Sequence, residues 1–203
     1  MLYSELQCSE AIHKAVERMG FAEMTEIQEK TIPVMLAGHD VIAKAPTGTG
    51  KTCAFGIPVA EHIVPENKYP QAVIMAPTRE LAQQIADELT QLTYFMPEVQ
   101  VACVYGGANM EKQAKRLAEG CQIVVATPGR LMDHYKHHTI DISHVTQIVL
   151  DEADEMLNMG FYKDVRHIIE MMKARKALSM FSATISREVM DIGWLYQHNA
   201  EEI

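Results

Sequence analysis

Six short apolar runs recur along the 203-residue chain, at residues 41–43, 72–75, 99–104, 122–125, 148–150 and 178–181, with helix-patterned segments between them. Strands that are apolar throughout must be covered on both faces, which is the condition of a parallel sheet wrapped by crossover helices. Residues 80–92 and 110–118 carry the 3.6-residue mixture of apolar and polar positions that such helices need. The alternation predicts an α/β fold: a doubly wound parallel sheet flanked by helices. No repeat, low-complexity tract or linker divides the chain, so residues 1–203 are expected to form one domain. In such a sheet, ligands gather beyond the carboxyl ends of the strands. Segments 45–52, 77–82, 106–107, 127–130, 151–154 and 182–184 all fall at such ends.

Two of these segments carry specific chemistry. Ala45-Pro46-Thr47-Gly48-Thr49-Gly50-Lys51-Thr52 follows the first run and fits the P-loop pattern G-x-x-x-x-G-K-[ST], with Ala45 in place of the first glycine. Its glycines let backbone N–H groups converge on phosphate oxygens at a helix N-terminus. Lys51 would reach the outer phosphates and Thr52 a magnesium ion. About a hundred residues later, Asp151-Glu152-Ala153-Asp154 follows the fifth run. Adjacent carboxylates at a strand end point to different sides, so one can serve the metal while its neighbour orients a water.

The remaining composition narrows the class. At 48% hydrophobic and 22% charged residues the chain can bury a full core. No apolar stretch approaches the roughly 20 residues of a membrane span, and the N-terminus lacks a signal-peptide pattern, so a soluble, cytoplasmic, monomeric domain with no membrane contact is expected. Cys8, Cys53, Cys103 and Cys121 are widely spaced without a C-x-x-C pair, and are read as reduced, mostly buried thiols. A net charge of -9 requires any nucleic-acid contact to be local. His134, His137 and His138 have helical i, i+3, i+4 spacing, but no cysteine or carboxylate cluster completes a metal set. They are read as a solvated helix face. Met156, Met159, Met171 and Met172 are read as core, the basic stretch Arg166, Lys173, Arg175 and Lys176 as solvated, and Pro58 as a bend in the helix that begins near Lys51.

Taken in order, these motifs closely resemble the DEAD-box family of ATP-dependent RNA helicases, specifically the N-terminal of its two RecA-like domains. Gly20-Phe21-Ala22-Glu23-Met24-Thr25-Glu26-Ile27-Gln28 is similar to the family's Q motif, with Met24 and Glu26 where prolines are usual. Tyr3, seventeen residues before Gly20, stands where the family keeps an adenine-stacking aromatic, more often phenylalanine. Pro77-Thr78-Arg79-Glu80-Leu81-Ala82, Gly106-Gly107, Thr127-Pro128-Gly129-Arg130 and Ser182-Ala183-Thr184 follow in family order. The resemblance implies ATP and Mg2+ as cofactors. Tyr3, Phe21, Thr25 and Gln28 would lie on the adenine side, Gln28 pairing with the adenine edge through its side-by-side donor and acceptor. Thr47, Gly48, Thr49, Gly50, Lys51 and Thr52 would hold the phosphates. It implies Asp151 on the metal together with Thr52, and Glu152 as the group that positions and deprotonates water.

The resemblance also implies an RNA backbone grip, independent of sequence, by Pro77, Thr78, Arg79, Gly106, Gly107, Thr127, Pro128, Gly129 and Arg130. Asp154, Ser182 and Thr184 would couple the nucleotide site to RNA and to the second domain. Phosphoryl transfer needs an added cation such as an arginine finger, and the family draws it from that second RecA-like domain in cis. No H-R-x-G-R-x-x-R segment occurs here, so the chain is expected to be the ATP-binding half of a helicase, binding adenine nucleotide with little or no turnover. Two other readings stay open: a stand-alone nucleotide-binding module that competes for RNA or a partner, and a P-loop ATPase acting on DNA or protein.

Overall fold

The computed structural model describes all 203 residues. Its strands are β1 (Val41–Lys44), β2 (Ala72–Met75), β3 (Val101–Val104), β4 (Ile123–Ala126), β5 (Gln147–Asp151), β6 (Ala177–Ser182) and β7 (Glu201–Glu202). They form one sheet in the order β3-β4-β2-β5-β6-β1-β7, every pair parallel. The α-helices are α1 (Glu10–Arg18), α2 (Glu26–Leu36), α3 (Lys51–Glu61), α4 (Arg79–Leu92), α5 (Met110–Ala118), α6 (Pro128–Lys136), α7 (Ala153–Asn158), α8 (Tyr162–Met171) and α9 (Arg187–Tyr196). No helix is long and apolar enough to cross a membrane.

Strand side chains alternate between two cores, as the period of two requires. Val41, Ala43, Ile74, Val125, Val149 and Phe181 join residues of α1 to α4 on one face. Ile42, Val73, Met75, Val124, Ile148, Leu150 and Met180 join residues of α5 to α9 on the other. This is the doubly wound sheet expected from the apolar runs. The helices start where short polar side chains take up free N–H groups: Ser9 accepts from Ile12, Thr78 from Leu81, Asn109 from Lys112 and Ser186 from Val189. Helix α3 runs unbroken to Glu61 with Pro58 inside it.

Buried amides lace the amino-terminal end of the sheet. Gln71 donates to Val64 O and Asn67 O, Gln122 donates to Pro65 O and Glu98 O, and Gln147 donates to Val59 O. Asp40 accepts from the N–H groups of Leu178 and His198, which fixes the chain leading into β7. The structure departs from the sequence reading in a few places. Strand β3 begins at Val101, because the Val99 N–H turns back to Met96 O. β7 is a seventh strand, unmarked by any apolar run. Met156 and Met172 are fully buried, but Met159 is 51% exposed. Cys53 and Cys121 are buried, Cys8 and Cys103 half-buried, and all four are free thiols.

Candidate functional site

The strand order sorts the six carboxyl-end segments into two neighbouring groups. β5, β6 and β1 lie side by side and deliver 151–154, 182–184 and 45–52, while β3, β4 and β2 deliver 106–107, 127–130 and 77–79. Sheet topology therefore brings residues more than a hundred positions apart in sequence onto one edge.

In the first group, Gly48 and Gly50 take φ of +85° and +78°, the left-handed geometry that turns successive N–H groups toward a common point. Gly50 is the N-cap of α3, whose first turn has neither a capping side chain nor an acidic residue, leaving its free donors for an anion. A Cβ on Gly50 would stand 2.5 Å from Gln28 Nε2, so glycine is required there for close packing as well as for φ.

Lys51 is 5% exposed, with Nζ 3.0 Å from Asp151 Oδ1 and 3.3 Å from Glu152 Oε2. Asp151 is fully buried; burial pushes its carboxyl above the ordinary value, with the Lys51 charge pulling the other way. Its Oδ1 accepts the Glu152 N–H at 2.9 Å, while Oδ2 is buried with no hydrogen-bond partner. Glu152 has φ +49°, a strained conformation for a residue with a side chain, and that twist at the start of α7 carries its carboxylate to Lys51.

An orphaned oxygen on the carboxylate whose other oxygen meets Lys51 of the P-loop fits a magnesium ion. Mg2+ takes one or two protein oxygens and completes its shell with water and phosphate. No cluster of three or more His, Cys, Asp or Glu side chains could hold a metal by itself.

Gln28 is 3% exposed. Its Oε1 accepts from Thr25 N–H at 3.0 Å and from the Tyr3 hydroxyl, and its Nε2 donates to Gly50 O at 3.0 Å. Tyr3 is buried and stacked on the half-exposed Phe21, with ring centroids 6.2 Å apart. A cleft of about 410 Å³ lies between Thr25, Glu26, Ile27 and Lys30 of the α2 end and Pro46 and Thr49 of the P-loop.

Behind the acidic pair, Asp154 Oδ2 accepts from the Thr184 hydroxyl at 2.8 Å and from its N–H at 3.2 Å. The Asp154 N–H donates to Ser182 Oγ at 3.1 Å. Burial opposes ionisation of Asp154, but hydrogen bonds from Thr184, Ser182 and the backbone outweigh it and hold the carboxyl below its ordinary value.

In the second group, the Arg79 guanidinium lies 4.8 Å over the Tyr105 ring, and a Cβ on Gly107 would be 3.9 Å from Arg79 Nη1. Arg130 Nη1 donates to Ala108 O at 3.0 Å and Gln113 Oε1 at 3.1 Å, and its Nε makes no hydrogen bond. Thr78 and Thr127 are helix N-caps, and Pro77 and Pro128 are buried at the bases of the two turns.

The family model for DEAD/DEAH box helicases matches residues 25–192, most of the chain. The chain belongs to the DEAD/DEAH box helicase family. Its relatives include an ATP-dependent RNA helicase CshA from Limosilactobacillus reuteri, 47% identical over all of this chain and 41% of that protein. Another is the CshA of Listeria monocytogenes, 48% identical over 99% of this chain and 38% of that protein. A DEAD box protein crystal structure from Methanococcus jannaschii superposes with a TM-score of 0.92 at 40% identity, covering 100% of this chain and 55% of that one. The chain thus spans about two fifths of the length of these curated relatives.

Within this DEAD/DEAH box domain the structure brings Lys51, Asp151 and Glu152 together, and joins Asp154, Ser182 and Thr184. It corrects the histidine reading. His137 and His138 are exposed, but His134 is fully buried, its Nδ1 2.7 Å from Thr139 Oγ1 and its Nε2 3.1 Å from Gln113 Oε1. Helix α6 ends at Lys136, so the three rings do not share a helical face.

Burial, then the positive Arg130, pushes the His134 imidazolium below its ordinary pKa of 6.5, with Asp133 opposing and His137 adding slightly. A base depressed in the folded state stabilises the fold above the unfolded pKa, and that stability drains as pH falls below about 6.5. Lowering the pH from about 7.5 to about 5.5 is therefore expected to reduce Tm more in the native chain than in His134→Gln. Parallel pH-Tm profiles for the two would reject the buried neutral ring.

Sequence reasoning missed Gln113 and Tyr105 entirely. Both lie beside the Gly106-Gly107 turn, but neither has a type or spacing that marks a site.

Proposed function

We propose that this chain is the ATP-binding half of an RNA helicase. The observation that carries the reading is the meeting of Lys51, Asp151 and Glu152 under a glycine-rich helix N-terminus, one strand away from the Asp154–Thr184 pair. The P-loop N–H groups and Lys51 bind the triphosphate. Thr52 and Asp151 would hold magnesium, which neutralises phosphate charge and polarises the transferred group. Glu152 orients the attacking water and takes its proton. Asp154, Ser182 and Thr184 form the rigid link through which a change at the phosphates reaches the next domain.

Arg79, Arg130 and the turns at 106–107 and 127–129 grip the sugar-phosphate backbone of a single RNA strand without reading bases. The names of the relatives, ATP-dependent RNA helicases, support RNA as the substrate class. Their greater length supports a second RecA-like domain in cis as the source of the missing cation. On this reading the chain alone binds adenine nucleotide and turns it over slowly or not at all.

Gln28 sets the base preference. Both lone pairs of its Oε1 are engaged by Thr25 and Tyr3, so an adenine amino group takes the position of the Tyr3 hydroxyl when it binds. Calorimetric titration with magnesium-ADP and magnesium-GDP tests this. We expect ADP to bind at least about tenfold tighter, the worth of two ordinary hydrogen bonds, and Gln28→Ala to bring the ratio close to one. Equal affinities in the native chain would remove Gln28 from base reading, and binding of neither nucleotide would reject the phosphate site.

A further inference from the structure

We propose that Gln113 is the positioning residue that locks the three candidate RNA turns into one rigid surface, an inference that rests on the RNA-grip reading above. Gln113 lies on α5, outside every motif, and is only 8% exposed. Its amide is used from both ends. Nε2 donates to Tyr105 O at 3.0 Å, fixing the backbone one residue before Gly106. Oε1 accepts from Arg130 Nη1 at 3.1 Å and faces His134 Nε2 at 3.1 Å.

The Tyr105 ring, whose hydroxyl accepts from Gln83 Nε2 at 3.1 Å, supports the Arg79 guanidinium. One amide thus ties the turn after β3 to the arginine of the turn after β4, and through Tyr105 reaches the arginine of the turn after β2.

The chemistry explains why an amide serves here. Tyr105 O needs a donor and Arg130 needs an acceptor, and a glutamine amide supplies both, at the reach required, without adding a charge next to a phosphate site. Arg130 gains most from this. An unrestrained guanidinium carries about 2 kcal/mol of rotamer entropy, which must be surrendered when it binds phosphate. Committing Nη1 to Gln113 and Ala108 removes that freedom beforehand, leaving the rest of the planar fork pre-set. His134 plays a supporting part: the buried ring at Oε1 prevents the amide from swinging away.

The test uses the 203-residue chain, a short fluorescent oligouridine and anisotropy titrations across a salt series. Gln113→Met, which keeps the side-chain volume and removes both hydrogen-bonding groups, is expected to weaken RNA binding about tenfold. It should also make the slope of log K against log salt shallower by about 0.7, the loss of one phosphate contact to a single strand. Magnesium-ADP affinity should not change. Arg130→Ala should do the same to RNA binding, and the double variant should be little worse than either alone, because both changes disable one contact.

A merely structural role for Gln113 predicts otherwise: an unchanged salt slope, additive losses, or a parallel loss of ADP binding. Any of these overturns the proposal. If Gln113→Met fails to fold, as judged by the absence of a cooperative melting transition, Gln113→Asn replaces it. That side chain is one methylene too short to reach both partners, and the same expectations apply. Should Arg130→Ala weaken RNA binding while Gln113→Met leaves it intact, only the role of Gln113 falls. Should the native chain fail to bind RNA at low salt, or bind it no better than Arg130→Ala does, the RNA-grip reading falls with it.

Discussion

Lys51→Ala is expected to weaken magnesium-ADP binding by roughly 30- to 150-fold, the worth of about 2–3 kcal/mol for charge-assisted hydrogen bonds to phosphate. Two effects act in the same direction. The phosphates lose their one buried cation, and Asp151 and Glu152 lose the group that neutralises them at 3.0 and 3.3 Å. The second effect adds repulsion against any incoming anion.

Breaking a buried pair ordinarily destabilises a fold by several kcal/mol. Here the loss is contained, because the Asp151 carboxyl is already pushed upward by burial and can take a proton once Lys51 is gone. The variant should therefore fold, with a Tm that falls as pH rises through the raised carboxyl pKa: the buried acid favours its neutral form, so the folded state binds the extra proton. Calorimetry gives the affinity and a pH series of melting curves gives the linkage. A folded Lys51→Ala chain with native ADP affinity would mean that the phosphates bind elsewhere.

How much of this was legible in the sequence depends on how local the cause is. The P-loop and the acidic strand end could be read directly, because glycine at positive φ and carboxylates after a buried strand are constraints satisfied within a few residues. The parallel sheet was legible because apolar runs alternate with helical patterns, and such runs are covered on both faces when those helices cross over the sheet. What escaped depends on distant partners. β7 is two glutamates, polar and at the sheet edge. It is held by Asp40 and by pairing with β1, neither of which marks the sequence at 201–202.

His134 was read as solvated because an imidazole counts as polar in a periodicity argument. It is buried because Gln113, twenty-one positions away, and Thr139 satisfy its nitrogens. The glutamines were the most concealed. Gln28, Gln71, Gln113, Gln122 and Gln147 are all buried, each satisfied largely by backbone groups or side chains of other elements. A glutamine among charged neighbours on α5 looks like surface until the turn at 105–108 and Arg130 close around it. Gln28 alone could be singled out in advance, and only through the family resemblance.

Glu152→Gln separates binding from chemistry where Lys51→Ala removes both. Glutamine keeps the shape, the left-handed backbone demand and an oxygen for Lys51, but its amide accepts no proton from water. Loss of general-base action ordinarily lowers turnover by about 10²- to 10⁴-fold, and on the proposed reading a loss in that range is expected for RNA-stimulated phosphate release by this domain joined to a second RecA-like domain. Nucleotide affinity should be equal or higher, since the substitution removes a negative charge beside the terminal phosphate while Asp151 still faces Lys51.

The contrast with Asp151 gives the assignment its force. Asp151 is fully buried, its Oδ1 shared between Lys51 and the Glu152 N–H, an environment that suits the metal-holding role proposed for it better than proton exchange with water. Glu152 is partly exposed, and its strained φ brings a carboxylate that water can still reach to 3.3 Å from Lys51 Nζ. Turnover within about threefold of the native rate in Glu152→Gln would move the proton acceptor to another group. Lost nucleotide binding would mean instead that the Glu152 carboxylate keeps Lys51 in place.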